Sequence, residues 1–259
     1  MVQLWHGTPI KKNDLTDLNE QYHYFIISSE IFLNEQKMFT KLNCKILLNG
    51  YPRNDILLNT NSSKINNDYN LKILFLPTHR YRLINGEPHR VKIFDLFEYG
   101  FDVDNLIEFL TKNNCHLSIK LHPMQRFKND YLCKRMKQSP QIDLIEDNAF
   151  SDVNTHLINC DVLISDYSSV IFDFLLIDKP IFLAPFDIHD PYIRDSLRFE
   201  YSKIAPGIIS YNWNELIKNL SFFIDNGDSQ IENRKIMNNR FNYYKDGNSC
   251  ERLYNCIIN

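Results

Sequence analysis

Short apolar runs alternate with longer stretches of helical periodicity along most of the chain, a pattern that predicts parallel sheets built from βαβ units. In the first part the strand-like runs are 2–5, 24–27 and 45–48, with a helix expected over 29–40. Residues 59–70, Asn-Thr-Asn-Ser-Ser-Lys-Ile-Asn-Asn-Asp-Tyr-Asn, then lose all apolar patterning and read as a linker. Further strands are expected at 72–76, 117–121, 143–145, 162–164 and 181–183. Helices fit 103–112, 128–137, 152–159, 169–177 and 213–225, and the tail 231–258 reads as one or two more. The expected division is a small first lobe (1–59), a linker (60–70) and a fuller second lobe (71–259).

Composition narrows the class. With 259 residues, 44% hydrophobic, 24% charged and a formal net charge of -3, the chain has room for a sizeable core and no overall pull toward nucleic acid. The six cysteines form no C-x-x-C pair, which favours packed, reduced thiols over disulfides or zinc. Met1 leads into Val-Gln-Leu-Trp-His with no charged flank and no apolar core of a leader, and no run approaches the ~18 apolar residues of a membrane span. A cytoplasmic protein is expected. With only seven glycines and neither G-x-G-x-x-G nor G-x-x-x-x-G-K-[ST], the sequence offers no signature of dinucleotide or Walker-type binding. No H-E-x-x-H or G-x-S-x-G occurs either. Asp102-Val103-Asp104 looks like a metal-binding D-x-D, but it precedes a helix, so Asp102 is expected to cap it.

The most telling stretch is 161–174, where an apolar strand ends in Asp166-Tyr167-Ser168-Ser169 and an amphipathic helix follows at once. Unpaired N–H groups near Ser169 and Val170, with the helix dipole behind them, would make an anion site beyond a strand end. A plain serine N-cap with no ligand explains the same residues equally well. Asp173, amid apolar neighbours in that helix, is costly to bury unless it is paired. His122 stands at the end of the strand 117–121, where Pro123 stops it, placed either to bind a phosphate or to serve structure. Thr78-His79-Arg80 occupies the equivalent end of 72–76, and Arg80 offers a planar fork for phosphate oxygens. His6, in Trp5-His6-Gly7-Thr8-Pro9, could take a proton from a substrate hydroxyl, with Gly7 permitting close backbone approach. Gly50-Tyr51-Pro52-Arg53-Asn54-Asp55 has the same layout after the third strand, although it also reads as a simple helix start.

Taken in order, Trp5-His6-Gly7-Thr8-Pro9, Gly50-Tyr51-Pro52-Arg53-Asn54-Asp55, Pro77-Thr78, Arg80, Lys120-Leu121-His122-Pro123 and Asp166-Tyr167-Ser168-Ser169 resemble the CDP-glycerol glycerophosphotransferase family, which builds teichoic acids and related capsule polymers. Lys179-Pro180 and Ala205-Pro206-Gly207 match its later turns. The resemblance implies an α/β, GT-B-like fold with two Rossmann-like lobes, the first, acceptor-side lobe truncated, and an active cleft between them. It implies a CDP-glycerol or CDP-ribitol donor, a polymer acceptor and release of CMP, with no cofactor beyond the donor. On this reading His6 is the catalytic base, while His122 and Arg80 act on the donor phosphates. Ser168 and Ser169 hold the diphosphate, Asp166 and Asp173 organise that region, and Thr78, Gly7 and Arg53 complete the donor site. A homodimer or partner chain completing the first lobe, and peripheral contact with the inner membrane face, are further expectations. A non-catalytic nucleotide-binding subunit and a nucleotide-sugar glycosyltransferase are the alternatives. One departure stands out: where the family usually has tryptophan, this chain has His79.

Overall fold

The computed structural model describes residues 1–5, 7–12, 22–33, 44–60, 68–84, 87–90, 93–94, 97–122, 125–127, 129–145 and 152–258, with backbone alone for 81–84, 87–90, 93–94 and 126–127. Strands in chain order are β1 Val2–Gln3, β2 Tyr24–Ile27, β3 Lys45–Leu48, β4 Leu71–Leu76, β5 Tyr81–Ile84, β6 Glu87–Arg90 and β7 Ile93–Phe94. They continue as β8 Cys115–Lys120, β9 Arg126–Phe127, β10 Ile142–Ile145, β11 Val162–Ser165, β12 Ile181–Leu183 and β13 Ile208–Ile209. The α-helices are α1 Asp55–Asn59, α2 Val103–Lys112, α3 Asp130–Lys137, α4 Val153–Asn159 and α5 Val170–Phe174. After them come α6 Pro191–Ser196, α7 Trp213–Asn226, α8 Ile231–Phe241 and α9 Ser249–Ile258.

Two parallel sheets organise these elements. The first has the order β1-β2-β3, the second β10-β8-β4-β11-β12-β13, and every pairing in both is parallel. Counted by appearance, the second sheet runs 3-2-1-4-5-6, the order of a dinucleotide-type fold, and its direction of growth reverses between β4 and β11. Such a reversal opens a crevice beyond the strands' carboxyl ends, because the connections on its two sides leave toward opposite faces.

β4 is apolar throughout because both of its faces are covered. Ile73 and Phe75 face a core shared with Leu106 and Leu110 of α2 and Trp213 and Leu216 of α7. Leu74 and Leu76 face the opposite core, built with Ile171 and Phe174 of α5 and Phe241 of α8. Phe25, Ile27, Phe32 and Leu57 of the first lobe belong to this same cluster, so one apolar core runs through both lobes. α2 begins at Asp102, whose carboxylate accepts from the N–H groups of Asp104 (3.0 Å) and Asn105 (3.1 Å). The D-x-D segment is therefore a helix cap. Lys179 donates to the carbonyls of Ile158 and Cys160 at the end of α4. In the 205–207 turn, a Cβ on Gly207 would run into the carbonyl of Ile181, so only glycine lets this turn pass beside β12.

Several expectations shift. The helix expected over 29–40 contributes a 3-10 turn, Glu30–Phe32, capped by Ser29, and residues 34–43 lie outside the described residues, as do 61–67 of the expected linker. The 169–177 helix splits into α5 and a 3-10 turn, Leu175–Ile177. β5, β6, β7, β9, β13 and α6 were not expected: the two-residue strands are too short for periodicity to register, and 81–84, 87–90 and 191–196 mix charged residues or proline into their runs. The tail forms two helices, and the last returns to the first lobe. Asp55 accepts from the N–H groups of Ser249 (2.9 Å) and Cys250 (2.7 Å), Arg252 donates to the carbonyl of Asn49, and Leu253 packs on Ile26 and Tyr51. Its place is thus set by a first-lobe carboxylate acting as its N-terminal cap.

Candidate active site

The carboxyl ends of β4, β11 and β12 are tied together by one buried polar knot at the reversal of the sheet. Asp166, 1% exposed, follows β11 and accepts four hydrogen bonds: from the N–H of Thr78 (2.9 Å), its hydroxyl (2.5 Å), Arg80 (2.7 Å) and its own neighbour's N–H at Tyr167 (2.6 Å). Arg80 also donates to both oxygens of Asp187 beyond β12 (2.6 and 3.1 Å) and to the carbonyl of Thr78. Its guanidinium lies over the ring of Tyr167, 5.1 Å from the centroid, and that phenol donates to Asp187 (3.0 Å). Tyr201 completes the knot by donating to the carbonyl of Asp166 (2.5 Å). Burial opposes the charge on Arg80, but Asp166 and Asp187 outweigh it and hold the guanidinium's pKa above its ordinary value. Burial likewise pushes the phenols of Tyr167 and Tyr201 up, so both remain protonated donors.

A second knot joins the lobes. Asp173, buried in α5, accepts from Arg53 (2.5 Å) and Asn54 (2.6 Å), which settles how this carboxylate is tolerated inside an apolar helix. Asn154 of α4 holds the carbonyl of Arg53 at 2.7 Å. Gly7 sits against the same point with φ +131, and a Cβ there would lie 2.6 Å from the hydroxyl of Ser169 and 2.7 Å from the Arg53 guanidinium. Thr8 and Ser28 share a hydrogen bond of 3.2 Å, and the hydroxyl of Tyr51 meets both, its pKa pushed up to about 12 by burial. His6 lies outside the described residues, but its neighbours do not: Trp5 adopts φ 55 and Gly7 φ 131, conformations that bulky residues avoid. Gly7→Ala is expected to cost about 1–3 kcal/mol and at least about tenfold in turnover, because the new methyl must displace Ser169 or Arg53. Urea titration beside a rate assay checks both.

The serine turn corrects one detail. The N–H of Val170, expected to be open to a ligand, is taken by the Ser168 hydroxyl at 3.3 Å, making Ser168 the local cap. Ser169 makes no side-chain cap bond, and its hydroxyl faces Gly7. His122, exposed beyond β8, stacks at 4.4 Å between ring centroids on His79 beyond β4. His122, Thr78, Arg80, Asp166, Ser168 and Ser169 therefore stand along three neighbouring strand ends, with Gly7 and Arg53 approaching from the first lobe. The sequence reading missed Asp187 and Tyr201. Asp187 had a signal, since it lies just past the strand 181–183; Tyr201 arrives from a segment with no local cue.

Six parallel strands in the 3-2-1-4-5-6 order, beside a second, three-stranded parallel sheet, define a GT-B-like α/β class. The chain is similar to the teichoic acid glycerol-phosphate primase of Bacillus subtilis, with 29% identity over 100% of this chain and 68% of the relative. It is also similar to the teichoic acid glycerol-phosphate transferase of Staphylococcus aureus, 27% identical over 99% and 70%. The fold matches the wall teichoic acid polymerase TagF with a TM-score of 0.72 at 23% identity, covering 99% of this chain and 67% of that one. Residues 1–259 match the CDP-glycerol:poly(glycerophosphate) glycerophosphotransferase family, and the chain belongs to it. It is a transferase. Among the described residues no helix is long and apolar enough to cross a membrane.

Proposed function

We propose that this chain transfers glycerol phosphate, or a related polyol phosphate, from a CDP-activated donor to a hydroxyl of a teichoic-acid or capsule-type acceptor, releasing CMP. The acceptor oxygen attacks the β-phosphorus, its bond to the α-phosphate's bridging oxygen breaks, and a phosphodiester forms. His6 takes the acceptor's proton as general base. His122 and the Ser168-Ser169 turn bind the diphosphate and stabilise the charge that develops on its oxygens. Arg80 acts through its field and by fixing Asp166, since its fork is already engaged by two carboxylates and a carbonyl. Thr78, Gly7 and Arg53 shape the donor site, and Asp173 holds Arg53 in place.

The single observation that carries this reading is the convergence of Gly7, Arg53 and Ser169 at one point. It sets Gly7, the residue after His6, against the serine turn of the second lobe, which supports the reading. Supporting it, the knot of Asp166 with Thr78 and Arg80 lies at the crevice where such sheets bind nucleotides. The proposed division remains 1–59, a linker at 60–70 and 71–259 with its C-terminal helices, the last of which, α9, packs on the first lobe. With a lipid-linked acceptor, the enzyme would work peripherally at the inner membrane face.

CMP is expected to accumulate when CDP-glycerol and a glycerophosphate-primed acceptor are supplied together. His6→Ala should lower that rate about 10²–10⁴-fold. Full activity in His6→Ala would refute the base assignment, and wild-type protein that binds CDP without turnover would make it a non-catalytic subunit.

A further inference from the structure

We infer that Lys11 is a phosphate-binding residue, contributing its ammonium to an oxyanion held over the reversal of the second sheet. This deepens the reading above and rests on it. Residues 7–12 leave the first sheet and run beside the segment after α6, with Lys11 bridged antiparallel to Leu197. The N–H of Arg198 donates to Ile10 at 2.7 Å, and the N–H of Lys12 to Ser196 at 2.8 Å, so the backbone of Lys11 is fixed across the lobes. Ile10 and Leu197 are buried in the shared core. Successive side chains of an extended chain point to opposite sides, so Ile10 turned inward carries Lys11 the other way.

The neighbouring lysine shows what is unusual. Lys12 satisfies its ammonium on the carbonyl of Asp195 at 2.9 Å. Lys11 is half-buried, yet among the described residues its ammonium makes no hydrogen bond and no ion pair. The charges that act on it are Asp166, Arg80 and Asp187, the members of the knot at the strand ends. Burial lowers its pKa, with Arg80 adding to that and the two carboxylates opposing it. Those carboxylates are already engaged by Arg80, Thr78 and tyrosine donors. A partly desolvated cation whose neighbouring carboxylates are already engaged by other donors is better accommodated when a ligand supplies further opposite charge. A phosphate oxygen fits that need, and a mobile ammonium with three donors suits a group whose charge moves during transfer.

Two phosphates could supply the oxyanion, the donor's diphosphate or the acceptor's terminal phosphate. Calorimetry on the full chain with CDP, inorganic pyrophosphate and glycerol 3-phosphate separates them. In Lys11→Met, affinity for CDP and pyrophosphate is expected to fall about ten- to a hundredfold, with Lys11→Arg restoring most of it. A loss confined to glycerol 3-phosphate would place the ammonium on the acceptor side and still support phosphate binding. Unchanged affinity for all three probes, with or without a lower melting temperature, would overturn the inference and leave Lys11 as a counter-charge of the knot. Wild-type protein that binds none of the probes would overturn it too. Failure of the transferase reading shows separately, as no CMP release from wild-type protein that binds pyrophosphate through Lys11.

Discussion

Replacing His122 by alanine is expected to lower CMP release about 10²–10³-fold while leaving folding almost untouched. The side chain is exposed at the end of β8, so its removal should change stability by no more than about 0.5 kcal/mol. Its ring nevertheless lies against His79 at 4.4 Å, which ties the ends of β8 and β4 into one wall of the crevice. A donor placed there acts on charge that grows as the phosphoryl bond breaks. Such an interaction is stronger in the transition state than in the bound substrate, so kcat and kcat/KM should fall together. Steady-state kinetics with CDP-glycerol, beside a urea midpoint, tests this. Wild-type turnover in the variant would reduce His122 to part of the wall.

Asp166→Ala should act in the opposite way, through stability first. Its carboxylate is buried and takes four donors, two from Thr78 and one each from Arg80 and the N–H of Tyr167. Removing it strands those donors and takes from Arg80 one of the two carboxylates that hold it among the described residues. Breaking a buried pair from one side costs about 3–5 kcal/mol, a large part of the ~5–15 kcal/mol that holds most domains together. Urea unfolding should therefore show a lower midpoint at an unchanged slope. Where the alanine variant does not fold, Asp166→Asn keeps the shape, loses the charge, and should fall between it and the wild type. Equal stability of Asp166→Asn and wild type would show that the knot is held by geometry rather than by charge.

Much of this fold was legible because its strands and helices carry their own periodicity. The strands 24–27, 45–48 and 181–183 and the helix 103–112 are found with the expected bounds, each being an uninterrupted run with clear stops. Asp102 gave its cap away for the same reason, since capping is a local bond to the second and third residues that follow. Asp173 was recognised as needing a partner, because a lone carboxylate among Ile171, Phe172 and Phe174 is a conflict visible in the sequence. Its partners, Arg53 and Asn54, lie more than a hundred positions away, and no periodicity points to them. The same holds for α9, whose cap is Asp55, and for Tyr201, which reaches the carbonyl of Asp166.

The sequence by itself determined the alternating α/β class, the strand-end placement of Thr78, Arg80, His122 and the serine turn, and the family through the order of its motifs. Those depend on neighbours within a few residues, where covalent geometry and hydrophobic period leave few choices. Only the tertiary structure decided which carboxylates claim Arg80, that Gly7 meets Ser169 and Arg53, and that Asp166, Arg80 and Asp187 set the electrostatic surroundings of Lys11. Such pairings are set by sheet order and lobe packing, which bring distant segments together through a shared core, and a linear pattern carries no record of that.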